Sequence, residues 1–112
     1  MSDDKFLMNS LLDFYGTLLT EKQLEICQYY YCEDLSLQEI SEIMNVSRAA
    51  VYDTIRRSRD ELLKYEEKLR LVKNYESRIK LYDKIKMLTD DQQIHDLLDQ
   101  CLNTESEGGL YE

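Results

Sequence analysis

The spacing of apolar side chains predicts that this chain is a succession of helices. Apolar side chains recur at intervals of three and four residues at Phe6, Leu7, Leu11, Phe14, Tyr15 and Leu18. That interval matches the helical repeat and predicts an amphipathic helix over about residues 4–18. The same intervals return in the later parts of the chain, so further helices are expected there.

Three capping-box patterns predict where later helices begin. In this pattern a Ser or Thr side chain accepts from a backbone N–H three residues on, and a Glu or Gln at that position accepts in return. The patterns begin at Thr20, Ser36 and Thr89, and a polar loop is expected over 32–35. The side chains expected to be buried are Leu24, Ile26, Cys27, Tyr30 and Tyr31 in the helix after Thr20. They are Leu37, Ile40, Ile43 and Met44 in the helix after Ser36, and Ile94, Leu97, Leu98 and Cys101 in the helix after Thr89.

A sharp turn is predicted after the helix that begins at Ser36. Asn45 is expected in the left-handed conformation, which asparagine tolerates better than most residues other than glycine. Ser47 would cap the next helix, whose inner face carries apolar side chains and whose outer face is left free. This arrangement predicts a helix-turn-helix over about residues 36–62.

The free face of the second helix in this motif carries the candidate nucleic-acid-binding residues. Arg48 and Arg56 are eight residues apart, a little over two turns, so they lie near one face. Arg57 and Arg59 lie beside that face, in position to reach phosphates rather than base edges. The full candidate set is Ser47, Arg48, Ala49, Tyr52, Asp53, Arg56, Arg57 and Arg59.

A second apolar stripe follows the motif, with a bend expected near Asn74, and little else in the chain is available to cover it. Helix-turn-helix proteins commonly pair to read two half-sites, so we expect a homodimer through the C-terminal helices, either alone or together with the first helix. We also expect one all-helical domain over 1–103 and a disordered tail over 104–112. The stripe consists of Leu69, Val72, Ile79, Tyr82 and Ile85.

Composition agrees with an all-α fold. The chain has no proline and three glycines, which leaves residues 17–107 without either residue type. Hairpins and β-rich folds need such residues at their turns, so they are improbable here.

The charge distribution changes the meaning of the net charge of −9. Residues 48–86 hold 12 of the 14 lysines and arginines and have a net charge of +5, whereas 1–47 and 87–112 each have −7. The acidic total argues against a nucleic-acid partner, but the basic segment coincides with the predicted recognition helix. A solvated basic face that complements acidic neighbours is the alternative.

Catalytic and metal-binding motifs are not apparent in the sequence. The cysteines are three, with no C-x-x-C pair, and Cys27 and Cys32 are expected to be small core residues. His95 is the one histidine and has no neighbours at ligand spacing. We therefore expect no enzyme, metal or cofactor. Without a long apolar run, we expect a cytoplasmic protein with no membrane span.

Two families share these patterns. The segment 19–63, with its Leu19-Thr20-Glu21-Lys22-Gln23 opening and its helix from Ser36, resembles region four of bacterial sigma factors. Residues 6–100 resemble the YlxM family of small bacterial proteins more closely, through LLDFYGTLLTEKQLEICQYYYCEDLSLQEI and NVSRAAVYDTIRRSRDELLKYEEKL. The resemblance implies an all-α fold with a sigma-like helix-turn-helix and a helical C-terminal extension. It also implies a DNA-binding regulator in the signal recognition particle pathway.

Three functions remain open from the sequence. The protein binds DNA through the helix after Ser47, binds structured RNA such as that of the signal recognition particle, or is an adapter for signal recognition particle proteins. Glu39, Glu42 and Asp53 would lie near phosphates in a docked complex, which disfavours nucleic acid. Asp53 would instead be favourable against a cytosine amino group.

Overall fold

The computed structural model describes residues 4–107 and is all-helical, as predicted. Within that range there are six α-helices and no strand. Their bounds are α1 Lys5–Tyr15, α2 Glu21–Cys27, α3 Leu37–Met44, α4 Arg48–Leu69, α5 Leu71–Leu88 and α6 Gln92–Glu107. The chain forms two compact units, one up to Leu69 and one from Arg70 onward.

Two of the three predicted capping boxes are present. At Thr20 the backbone N–H donates to Gln23 Oε1 at 2.9 Å, and the Gln23 N–H donates to Thr20 Oγ1 at 3.2 Å. Ser36 and Glu39 make the same reciprocal pair, with both distances 3.0 Å. Each box satisfies N–H groups that the first turn of a helix leaves unpaired. The sequence therefore determines where α2 and α3 begin.

The core of the first unit is formed by four helices, with α4 packed against α1, α2 and α3. Tyr15 is fully buried; its hydroxyl donates to Glu66 Oε1 at 2.6 Å, and its ring stacks on Tyr65 at 5.9 Å. These contacts join the end of α1 to α4. The buried apolar side chains are Met8, Leu11, Leu12, Tyr15, Leu19, Ile26, Cys27, Tyr31, Ile40, Val51, Ile55 and Leu62.

The inward faces differ from the prediction at several positions. The predicted first stripe is offset, since Leu7 and Leu18 are exposed, while Met8 and Leu12 are buried. One reason is that α1 ends at Tyr15, and a 3₁₀ turn over Gly16–Leu18 changes the direction of the chain.

Between α2 and α3 the prediction needs two corrections. Residues Gln28–Cys32 form a π-helical turn, which precedes Asp34 in the left-handed conformation. Cys32 is exposed rather than in the core, and its thiol lies 3.3 Å from Asn9 Oδ1.

The second unit begins with a helix break four residues before the predicted bend. Arg70 has φ 56° and ψ 31° and separates α4 from α5, whereas the bend was expected near Asn74. The cap of α6 also differs, since Asp91 Oδ1 accepts from the Gln93 N–H at 2.9 Å and Thr89 accepts from Asp91. Asp91 is two residues nearer to the helix start, so its carboxylate replaces the Thr89 hydroxyl as the cap.

Side-chain contacts between α5 and α6 extend α6 beyond its expected end. Arg78 makes a two-point ion pair with Glu105, and the Tyr82 hydroxyl donates to the same carboxylate. Lys86 pairs with Asp99 at 3.1 Å. Because Glu105 is held in this way, residues 104–107 of the expected tail are helical, and 108–112 lie outside the described residues.

The stripe from which a dimer was predicted has mixed burial. Val72 is buried, Ile79 and Tyr82 are half-buried, and Leu69 and Ile85 are exposed. In the described range, none of the helices is both long enough and apolar enough to cross a bilayer.

Candidate nucleic-acid interface

The turn between α3 and α4 has the conformation that a helix-turn-helix requires. Asn45 lies in the left-handed region, with φ 55° and ψ 46°, as predicted. Its N–H and that of Val46 both donate to the carbonyl of Ser41, which closes the end of α3. Ser47 then caps α4, since its Oγ accepts from the Ala50 N–H at 3.0 Å. The chain thus reverses within a few residues and presents the start of α4.

Packing fixes which face of α4 is presented. Val51, Ile55 and Leu62 are fully buried on one side of the helix, and Ile40 of α3 is buried with them in the same unit. Ser58 is buried on that side too, and its hydroxyl donates to the Thr54 carbonyl at 2.7 Å. The opposite side of the N-terminal half of α4 therefore faces solvent.

All eight predicted site residues lie on or beside that solvent-facing side. Asp53 and Arg59 are partly exposed, and the other six residues are exposed. Arg48 is the first residue of α4, and Arg56 follows it at about 12 Å along the helix axis. The six exposed residues are Ser47, Arg48, Ala49, Tyr52, Arg56 and Arg57.

Three of the four arginines on this face are paired with carboxylates of the same helix. Arg56 and Arg57 both contact Asp53, and Arg59 contacts Asp60 at 3.2 Å. Within residues 4–107, the side chain of Arg48 has neither a hydrogen bond nor an ion pair. Its guanidinium is therefore the one that a ligand meets without first displacing a carboxylate of this chain.

The first unit also exposes an apolar side chain on α3. Ile43 was predicted to be inward but is 53% exposed, while the neighbouring Ser41 is buried and donates to the Gln38 carbonyl at 2.8 Å. An open groove of about 460 Å³ is lined by Leu37 of α3 and by Arg48, Ala49 and Tyr52 of α4. The signal in the sequence was the run Ile40, Ser41 and Met44, a narrow stripe that leaves Ile43 outside it.

The two acidic residues of α3 are engaged in local contacts. Glu39 accepts from the Ser36 N–H in the capping box, and this bond holds the pKa of its carboxyl below the usual range. Glu42 accepts from Gln38 Nε2 at 3.0 Å. Both side chains are exposed, so their charges still oppose an approaching phosphate.

The reactive cysteine and histidine side chains have local structural surroundings. Burial raises the pKa of the Cys27 thiol to about 11, in the core of the first unit. His95 Nε2 lies 2.8 Å from the Thr89 carbonyl and 3.2 Å from that of Lys86, so the ring closes the turn between α5 and α6. Among the residues described, no His, Cys, Asp or Glu side chains cluster as a metal site would need.

Comparison with known proteins agrees with the geometry of the turn. Residues 2–101 match the family described as UPF0122, "Putative helix-turn-helix protein, YlxM / p13 like". A UPF0122 protein of Oceanobacillus iheyensis is 49% identical over 86% of this chain and 91% of its own length. UPF0122 proteins of Caldanaerobacter subterraneus subsp. tengcongensis and Listeria innocua are 54% and 46% identical, over 77% and 88% of this chain and 74% and 94% of their own.

Proposed function

Because the chain belongs to the UPF0122 family of YlxM/p13-like helix-turn-helix proteins, we propose that it is a DNA-binding regulatory protein of the cytoplasm. The observation that carries the proposal is the face of α4 that begins at Ser47. It is exposed, it starts with the unpaired Arg48, and the opposite face is anchored by Val51 and Ile55 in the core. The family and the fold give no catalytic role, and we propose none.

In the proposed complex the N-terminal half of α4 lies in the major groove. Arg48 and Tyr52 are one helical turn apart on the exposed face and would contact base edges. An arginine fork binds guanine through two hydrogen bonds, which suits Arg48 for reading a base. Arg57, at the flank, would contact the phosphate backbone, where it positions the helix without reading sequence.

Alanine substitution of Arg48 tests this proposal. Lys64→Ala is the matched control, because it removes one exposed positive charge from the same helix about 24 Å farther along. Both variants and the unchanged chain are titrated with duplex DNA at two salt concentrations. We expect R48A to lose roughly 1–3 kcal/mol of discrimination at one base position and K64A to keep it. If the unchanged chain binds no duplex DNA with a negative salt slope, the proposal is wrong.

The adapter function is the second candidate, and two observations favour it. Most arginines of the face are neutralised by carboxylates, and Ile43 of α3 is an exposed apolar side chain. The role in the signal recognition particle pathway, with its proteins or its RNA as partners, rests on the resemblance to the YlxM family. Pull-downs from lysate with and without nuclease separate these cases. Retention of the same proteins after nuclease would favour the adapter.

We also propose that two copies pair through α5 and α6. Leu81 and Ile85 follow Arg78 by three and seven residues, so they lie on the same side of α5 as the pair with Glu105. Several exposed apolar side chains occur along these helices, which is unusual for a surface without a partner. They are Leu81, Ile85 and Leu88 of α5 and Ile94 and Leu97 of α6.

Light scattering tests the pairing. We expect a dimer mass at micromolar concentration for the unchanged chain and a monomer mass for Ile85→Asp. Asn103→Asp is the control, because it adds the same charge at an exposed position of α6 that is turned away from Leu97. A monomer mass for the unchanged chain would overturn the dimer.

A further inference from the structure

Both carboxylate oxygens of Asp53 contact arginine side chains of the following helical turn. Oδ1 lies 2.8 Å from Arg56 Nη2, and Oδ2 lies 2.5 Å from Arg57 Nη2. The acid precedes its partners by three and four residues, the order that is favoured on a helix. Hydrogen bonds from Arg56 and then Arg57 lower the pKa of the Asp53 carboxyl, which is therefore charged at neutral pH.

This arrangement places a carboxylate in competition with phosphate. A guanidinium fork binds carboxylate and phosphate oxygens with the same geometry. For Arg56 or Arg57 to reach a DNA phosphate, it must first leave Asp53, whose charge then lies near another anion. That cost applies to every DNA sequence, because every duplex carries the same phosphates.

We propose that Asp53 is a specificity-determining residue, which competes with backbone phosphates for Arg56 and Arg57 and so suppresses sequence-independent DNA binding. This inference rests on the proposed DNA-binding function. A base with an amino group at the major-groove edge, such as cytosine, can donate to the released carboxylate and offset the competition. Only a matching site supplies that donor, so the penalty is relieved at some sequences and not at others.

The test compares Asp53→Asn with Glu67→Gln. Both changes remove one negative charge from an exposed or partly exposed position of α4. Glu67 lies about 21 Å beyond Asp53 along the helix axis and makes no ion pair with Arg56 or Arg57. Each variant is titrated with a mixed-sequence duplex at two salt concentrations, after its melting temperature has been checked. We expect D53N to bind this duplex roughly two- to thirtyfold more tightly, the range that two exposed ion pairs correspond to. Its salt slope should steepen by about 1 for each arginine released.

A double-mutant comparison separates the competition from a general charge effect. When Arg56 and Arg57 are both changed to Ala, D53N should no longer increase affinity beyond the E67Q variant. If the unchanged chain binds DNA and D53N behaves as E67Q does, the inference fails and the proposed function stands. If neither the unchanged chain nor D53N binds the duplex, both fail. A gain confined to an RNA hairpin would overturn the assignment to DNA specificity.

Discussion

Among single residues, Asn45 determines whether the two helices of the motif can meet. Its left-handed conformation, with φ 55° and ψ 46°, costs most residues with a β-carbon roughly 1–2 kcal/mol, and asparagine adopts it more readily than most. Three residues of the described chain other than glycine have this conformation, namely Asp34, Asn45 and Arg70. Each of them stands between two helical segments.

Substitution of Asn45 should therefore affect stability in opposite ways for two small residues. We expect Asn45→Ala to lower the free energy of unfolding by about 1 kcal/mol, because alanine adopts the left-handed conformation less readily than asparagine. Asn45→Gly should stay within about 0.5 kcal/mol of the unchanged chain, because glycine adopts this conformation freely. Urea denaturation followed by circular dichroism measures both. Equal losses in the two variants would contradict the conformational argument.

Arg57 and Arg48 should differ in what their loss does to binding. In the D53N variant, where Asp53 no longer competes with phosphate for Arg57, Arg57→Ala should weaken binding evenly across sequences and lower the salt slope by about 1. Arg48→Ala should instead change the preference at one base position. Both side chains are exposed, so each substitution should change the free energy of unfolding by no more than about 0.5 kcal/mol. Titration of each variant with a panel of single-base changes in the duplex distinguishes the two roles.

At the scale of the helices, the capping box makes the stability of the N-terminus of α3 depend on pH. The pKa of Glu39 is lowered in the folded chain, first by the hydrogen bond from the Ser36 N–H and then by the Ser36 side chain. A carboxyl with a lowered folded pKa contributes stability above its unfolded value, and that contribution is lost as pH falls through the folded value. The start of α3 should thus weaken on acidification.

Two substitutions separate the charge from the cap. Ser36→Ala removes the hydroxyl acceptor and should cost about 1 kcal/mol of stability at neutral pH. Glu39→Gln keeps an acceptor at the same position, so the cap survives, but the acid-dependent part of the stability is lost. Thermal melts between about pH 3 and pH 7 compare the variants, because this range brackets the usual pKa of a glutamate carboxyl. A slope in E39Q identical to that of the unchanged chain would rule Glu39 out as its source.

Some local features could be predicted from the sequence because the groups that form them are neighbours in the chain. They are the helix N-termini at Thr20 and Ser36 and the turn at Asn45. The break at Arg70 could not, since Leu69, Arg70 and Leu71 are all good helix formers and no local signal separates them. The burial of Ser41 in place of Ile43 depends on how α3 packs in its unit, which local spacing determines only approximately. The eight candidate residues lie at or beside the exposed face, and their role in binding stays a prediction. The pairing of Arg56 and Arg57 with Asp53 was not predicted, because it depends on side-chain conformations that spacing alone does not determine.

For the chain as a whole, one cooperative domain over 1–103 stays a prediction. The described contacts gather into two units that meet in sequence at Arg70. Chains of this length usually unfold in one step, so we expect coincident urea transitions for far-ultraviolet circular dichroism and for the near-ultraviolet signal of the tyrosines. Two separated transitions would show that the units unfold independently.

Because Cys27 is buried, the rate at which its thiol is alkylated should report how often the first unit opens. With a pKa of about 11, only about one thousandth of this thiol is ionised at pH 8, and its sulfur is shielded as well. Cys32 and Cys101 are exposed and should react with an alkylating reagent at once. Cys27 should react only after the unit opens, so the delay of the third modification in a mass spectrum reports the opening free energy. Prompt triple labelling under native conditions would mean that the core around Cys27 opens on the timescale of the reagent.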